Sequence, residues 1–243
     1  MSSLWKIPFI LAAAGSFQVV ATPPNPVPSE EELVAPSTYT EKLLFNVLGR
    51  ISGPTTPRNL LWAASLCEVS VILLSHRPHS PLGTMLLRYL APAGLSAASS
   101  ISLTNSYIVG CILVVAGAAL RYWCYRTLGR MFAFRLSIVK GHRLVTSGPY
   151  SIVRHPSYTG ILLAVPGIQL CLLGAGSWVH TSGILGTVLG KAFVGYWGFL
   201  CLLAYPAVVA RVPKEDEMLK KRFGQEWEDW ARKVPNRLIP WVF

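Results

Sequence analysis

Residues 141–160 read GHRLVTSGPYSIVRHPSYTG. This short stretch holds His142, Tyr150, Arg154, His155, Pro156 and Tyr158, and strongly apolar runs lie on both sides of it. A polar group left unsatisfied in hydrocarbon is costly. A lipid-embedded chain therefore keeps so many hydrogen-bonding groups together only where something binds them. Two expectations follow: the surroundings are membrane helices, and the stretch itself is a binding loop.

Composition supports the first expectation. Hydrophobic residues make up 52% of the chain and charged residues only 14%, against about 25% charged in an ordinary soluble domain. The charges are also clustered, leaving long windows almost without any, as in transmembrane helices. The net charge of +11 does not point to nucleic acid. Lys and Arg gather in residues 121–154 and 211–237, each beside an apolar run, which is the positive-inside pattern and suits anionic cytoplasmic lipid. Cys67, Cys111, Cys124, Cys171 and Cys201 lie in or beside apolar runs without a CxxC or Cys/His spacing. They read as buried thiols, with neither a disulfide framework nor a metal site expected.

Working outward from the loop, apolar runs predict spans near residues 4–21, 59–75, 105–124, 157–176 and 191–210. The fold class is thus an all-α integral membrane protein of about five transmembrane helices, with a cytosolic-facing loop and a C-terminal amphipathic helix. The first run also has the small-residue end of a secretory signal peptide, with Lys6 as a weak basic region; a retained first helix is favoured because the later helices need a membrane partner. Four prolines at positions 23, 24, 26 and 28 make the next segment an extended linker, and Glu30 to Glu32 read as a solvated helix start. Glu68 lies inside the second span, where an ionisable group serves either a neighbouring helix or a function. Residues 76–100 read as a loop or an interfacial helix. Gly110, Ala116 to Ala119 and their neighbours give the third span a small-residue face, and Arg121 to Arg126 form an aromatic and basic interfacial belt. Pro166-Gly167 predicts a kink in the fourth span. Met218, Leu219, Phe223, Trp227 and Trp230 recur at helical spacing, so 214–232 predicts one amphipathic helix ended by Pro235. Two crossings between the basic segments put 121–156 and 211–243 on one face, cytoplasmic by charge, and five spans put the N-terminus on the other.

The loop's residue types suit an ionic ligand. Thr146-Ser147-Gly148-Pro149 is a turn, and Leu144-Val145 ahead of it are apolar enough to line an adenine. Arg154, His155 and the unpaired N–H groups at a helix start led by Pro156 suit a carboxylate. The faces of Tyr150 and Tyr158 attract a cation such as a sulfonium. Singly, a boundary Tyr is a belt residue and a boundary Arg a topology signal; together they are a constellation. In the tail, Arg211 and Glu215 stand four apart where the fifth span leaves the membrane. By spacing alone they read as a plain surface pair worth little, and their placement offers a second role on an anionic substrate.

The stretch 141–160, with the later R-x-x-x-E-D-x-x-L-x-x-x-F-G (Arg211, Glu215, Asp216, Leu219, Phe223, Gly224) and the ending VPNRLIP, resembles the isoprenylcysteine carboxyl methyltransferase family. The resemblance covers about 120–243. It implies a multi-pass enzyme of the endoplasmic reticulum membrane that uses S-adenosyl-L-methionine to methylate the carboxylate of a prenylated C-terminal cysteine. It also implies cofactor contacts at His142, Arg143, Leu144, Val145, Tyr150, Arg154, His155, Pro156, Ser157 and Tyr158, with substrate contacts and the catalytic role at Arg211 and Glu215. Where some members carry a Gln contact seven residues before the first His, this chain has Arg135. The implied organisation is an N-terminal helix and linker (1–58), membrane helices (59–120) and a catalytic region (121–243) made of the cofactor loop 135–160, two spans and the substrate-binding tail 211–243. Its partners are prenylated protein substrates and membrane lipid, with no nucleic acid and no metal. NADPH-dependent membrane sterol reductases share an Arg-His-Pro-x-Tyr segment and a comparable tail, and phospholipid N-methyltransferases share the broad architecture. A non-catalytic scaffold is the reading from a different class.

Overall fold

The computed structural model describes residues 3–29, 31–32, 55–76, 81–137 and 140–240, and within them it is helical. A 3-10 turn Ser3–Lys6 leads into α1 (Ile7–Ala21), followed by α2 (Thr56–Ser75), α3 (Pro81–Leu90), α4 (Leu95–Ser99) and α5 (Asn105–Leu128). After the loop come α6 (Pro156–Leu173), α7 (Trp178–Thr181), α8 (Val188–Phe223) and α9 (Gln225–Lys233). Among the described residues, five segments are long and apolar enough to cross a membrane: Ser3–Ala21, Thr56–Ser75, Asn105–Met131, Pro156–Thr181 and Val188–Phe223. The expected all-α, five-span class therefore stands. The Pro-rich segment is non-helical where described, and the helix expected to start at Glu30 to Glu32 runs into residues outside the described ones. Residues 77–80 of the expected break also lie outside them.

The tail departs from expectation. Residues 214–223 do not begin an amphipathic helix; they continue α8 to Phe223. Pro206 and Pro213 lie inside that helix without ending it, as membrane helices tolerate when neighbours re-satisfy the freed carbonyls. The break falls at Gly224, where φ is +55°, a backbone state that favours glycine. The amphipathic helix is the shorter α9, which buries Trp230.

The chain forms two compact units. The first comprises the described residues of Met1–Gln18, Thr55–Ala116 and Leu163–Cys201. In it α2 packs against α3, α4 and α7. The segment read as a loop or interfacial helix is a pair of short helices. α3 buries Gly83 and Leu87 and exposes Leu82, Met85, Leu86 and Tyr89. Where α5 crosses α6, a Cβ added to Gly110 would lie 2.6 Å from the carbonyl oxygen of Gly167, and one on Gly167 would lie 2.7 Å from that of Gly110. Glycine at both positions is what lets the two backbones touch. Replacing Gly110 with valine is expected to cost about 1–3 kcal/mol by overpacking, lowering the thermal midpoint of the detergent-purified protein. Gly15→Ala, inside α1 with nothing within 4 Å, should leave the midpoint unchanged or slightly raised in the same fluorescence-detected assay.

Glu68 finds its partner in this unit. Lys6 Nζ lies 2.6 Å from Glu68 Oε1, donates to Gly176 O at 2.8 Å and sits 4.1 Å from the centre of the Tyr107 ring. Both charges are buried, so the lysine that resembles a signal-peptide charge in the sequence is an internal counter-ion tying α1 to α2.

The second unit comprises the described residues of Val19–Pro54, Gly117–Leu162 and Leu202–Phe243. Its core gathers Cys124, Tyr125, Phe132, Tyr150, Trp230 and Val234. The expected interfacial belt is split by helical phase. Arg121 and Tyr125, one turn apart, face inward and are buried, while Tyr122, Trp123 and Arg126 are exposed. Arg121 donates from Nε to the Tyr125 hydroxyl at 3.0 Å and from Nη1 to O and Oγ of Ser157 at 3.1 and 2.9 Å. A Cβ on Gly160 would stand 2.7 Å from Arg121 Cγ, so the small residue at 160 makes room for this arginine.

Candidate active site

All the residues singled out in the loop and in the tail belong to the second unit. The loop's course follows from its turn chemistry. Ser147 is extended, Gly148 takes φ +60°, and Pro149 enters a 3-10 turn, Gly148–Ser151, which the Tyr150 N–H closes onto Ser147 O at 3.2 Å. That turn buries Pro149 and Tyr150. Tyr150 O accepts the indole N–H of Trp230 at 3.1 Å, and burial holds the Tyr150 phenol well above its ordinary pKa. Leu144 and Val145 pack against the same core from the other end of the turn.

His142 is half-buried, with its ring 5.9 Å from that of Phe223. Burial pulls its pKa below the usual histidine value, with the Glu215 charge opposing, and its Nδ1 has no hydrogen-bond partner among the described residues. Arg143 points outward and is exposed, its backbone N–H 3.5 Å from Met131 Sδ. Pro156 and Ser157 are buried at the start of α6, where proline's missing N–H costs nothing.

The N–H groups expected to be unpaired at that helix start are partly used. Arg154 N donates to Asn236 O at 3.0 Å and His155 N to Arg237 O at 2.8 Å. Thr159 Oγ1 donates to Leu238 O at 2.6 Å. The ending VPNRLIP thus lies along the last residues of the loop and holds them by main-chain bonds.

Two adjacent carboxylates on α8 then divide the site. Asp216, 5% exposed, meets Arg154 Nη2 at 3.2 Å, His155 Nε2 at 2.9 Å and Arg237 Nε at 3.2 Å. Glu215 accepts the Tyr158 hydroxyl, and its Oε2 lies 3.9 Å from Arg211 Nε. His155 Nδ1 is 3.9 Å from Glu215 Oε1, and the His155 ring stacks on that of Tyr158 with centroids 5.7 Å apart. Arg211 donates to Phe134 O, and its guanidinium carbon stands 5.8 Å from the centre of the Tyr158 ring. Burial lowers the Arg154 pKa, with Asp216 opposing; an arginine so placed stays charged.

The structure therefore joins Arg154, His155 and Tyr158 directly to the start of the tail and sets Leu144, Val145 and Tyr150 against α9. His142 stands beside the end of α8. Residues that sequence reasoning passed over are also built in: Asp216, Arg237, Phe134, Trp227 and the buried Arg121. Asp216 carried a signal, as the middle of three consecutive acids on a helix, since neighbouring positions point in different directions and serve different partners. Arg154 Nε, Arg211 Nε and His142 Nδ1 are buried without hydrogen-bond partners among the described residues. Such atoms suit a ligand with charged and hydrogen-bonding ends.

Residues 109–189 match the Isoprenylcysteine carboxyl methyltransferase (ICMT) family. The chain is 31% identical over 132 residues to a probable protein-S-isoprenylcysteine O-methyltransferase of Oryza sativa subsp. indica, covering 54% of this chain and 59% of the relative. It is 30% identical over 135 residues to protein-S-isoprenylcysteine O-methyltransferase B of Arabidopsis thaliana, covering 55% and 58%. It is also 29% identical over 103 residues to the Delta(14)-sterol reductase TM7SF2 of Mus musculus, covering 42% of this chain and 20% of that one. The chain spans less than two thirds of the length of the plant relatives it matches.

Proposed function

We propose that the chain methylates the C-terminal carboxylate of prenylated cysteine, a reading supported by the match of residues 109–189 to the isoprenylcysteine carboxyl methyltransferase family. The methyl donor is S-adenosyl-L-methionine, the product is a methyl ester, and the work takes place in the endoplasmic reticulum membrane. The observation that carries this reading is the bond from Tyr158 in the loop to Glu215 in the tail, with Arg211 beside it. It brings the residues suited to a donor and those suited to an acid acceptor into one compact unit.

When bound, S-adenosyl-L-methionine supplies an electrophilic methyl group on a sulfonium. The acceptor needs no general base, since a C-terminal carboxyl has a pKa of about 3.5 and is already ionised. The protein's task is therefore alignment and exclusion of water. Arg211 holds the acceptor carboxylate. Glu215 and the Tyr158 ring fix the guanidinium from two sides. Leu144, Val145 and Tyr150 supply the apolar wall for the adenosyl group. His142, Arg154 and His155 face the donor's polar end, and the buried nitrogens on His142 and Arg154 fit it. The prenyl chain enters sideways from lipid, which is why such an enzyme is membrane-embedded, and the donor arrives from the cytosolic face.

The test uses the full chain in nanodiscs, with labelled S-adenosylmethionine and N-acetyl-S-farnesylcysteine. Saturable donor binding and appearance of the labelled methyl ester are expected. Binding of NADPH without binding of the methyl donor, together with reduction of a sterol double bond, would favour the reductase reading raised by the mouse relative. Binding of neither would favour a scaffold.

A further inference from the structure

The two tryptophans of α9 are treated differently by the fold. Trp230 is buried and spends its indole N–H on Tyr150 O. Trp227, one turn earlier, has its indole nitrogen closed off from solvent without an acceptor among the described residues. A buried donor left unpaired is costly, so a fold that keeps one needs a reason. The surroundings of Trp227 supply it. Its ring packs against the core that Leu144 and Val145 also cover, and the Arg154 guanidinium carbon stands 5.7 Å from the ring centre. Arg154 uses Nη2 on Asp216, while its Nε is likewise buried without an acceptor. Two buried N–H donors, one of them cationic, thus belong to neighbouring side chains at the edge of the loop. Donors of this kind suit an anionic acceptor.

We infer that Trp227 is a further binding residue for the methyl donor, its indole N–H and Arg154 Nε together taking the carboxylate at the donor's amino-acid end. This rests on the methyl-donor reading above. It adds α9 to a site otherwise made of the loop and α8, and it explains why the chain turns sharply at Gly224 and returns toward the loop.

The test compares wild type and Trp227→Phe, as full chains in nanodiscs, by calorimetric titration with two thioether ligands. S-adenosylhomocysteine carries the amino-acid carboxylate; methylthioadenosine has the same nucleoside and lacks it. Phenylalanine keeps an aromatic face, removes the N–H and gives up part of the ring area, a loss that bears on both ligands alike. The substitution is expected to weaken S-adenosylhomocysteine about tenfold, about 1.4 kcal/mol, and to leave methylthioadenosine within about twofold. Unchanged binding of both ligands, or equal weakening of both, overturns the assignment. The second outcome is also what a general disturbance of the fold produces, so the ratio of the two affinities decides. A wild-type chain that binds neither ligand overturns the methyl-donor reading, and this inference with it. A wild type that binds both, with a variant that does the same, overturns only the role of Trp227.

Discussion

On the proposed methyl-transfer function, Arg211→Ala is expected to remove methyl transfer to farnesylcysteine, with kcat/KM falling by about 100-fold or more, while the affinity for S-adenosylhomocysteine stays within a few-fold of wild type. The magnitude follows from removing the cation that would pair with the acceptor carboxylate, since truncating one partner of a desolvated charge pair costs about 2–5 kcal/mol. The Arg211 side chain is 15% exposed and that of Glu215 27%, so the lower half of that range is the appropriate one. The asymmetry between acceptor and donor follows from geometry. Arg211 touches Phe134 O, Glu215 and the Tyr158 ring, whereas the buried donor-side nitrogens belong to His142 and Arg154. Arg211→Lys keeps the charge and loses the planar fork, so it should restore only part of the rate. Steady-state kinetics with the farnesylcysteine substrate, beside titration with S-adenosylhomocysteine, separates the two effects. An equal loss of donor affinity would move Arg211 to the other half of the site. His155→Ala should show the reverse order, with donor affinity falling first, because His155 sits between the two carboxylates at the head of α6.

Much of this architecture is legible in the sequence because it depends on local properties. Apolar length marks the spans, and the turn at 146–149 follows from Ser, Gly and Pro. The loop residues and the Arg211/Glu215 pair stand out for the same reason. What stays hidden depends on long-range pairing. Lys6 has the look of a signal-peptide charge until Glu68, far along the chain, is placed beside it. Arg121 passes for an interfacial residue because its inward phase on α5 shows only when Gly160 and Ser157 come up against it. The end of α8 is misread because amphipathic spacing carries smoothly through 214–232, while the actual break rests on the backbone state of Gly224. Asp216 is the clearest case. Nothing in its neighbourhood along the chain reveals that Arg154, His155 and Arg237 converge on it.

That convergence makes Asp216 the residue whose loss should disturb the unit most. Asp216→Ala leaves Arg154 and His155 buried around an empty place for a counter-charge and releases Arg237. Breaking a buried ion pair by removing one partner costs about 3–5 kcal/mol. The Arg237 side chain is 38% exposed, so its share is screened and the buried pair with Arg154 dominates. The damage should extend beyond stability. Main-chain bonds from Arg154 and His155 hold residues 236 and 237, and these lose the side-chain anchor that sets their position, so donor affinity should fall with the thermal midpoint. Asp216→Asn keeps the shape and an acceptor for His155 Nε2, and should fall between the two. The neighbouring Glu217 gives the control. It pairs with Lys221 at 2.7 Å on the surface, with both side chains mostly exposed, and such a pair contributes about 0–1 kcal/mol. Thermal midpoints of the three variants in detergent, measured with and without S-adenosylhomocysteine, should rank Glu217→Ala equal to wild type, Asp216→Asn lower and Asp216→Ala lowest. The gain on adding ligand should shrink in the same order, since a ligand stabilises a protein only to the extent that it binds the folded state. An Asp216→Ala chain that melts with wild type would mean that Arg154, His155 and Arg237 find other partners, and would remove this carboxylate from the centre of the site.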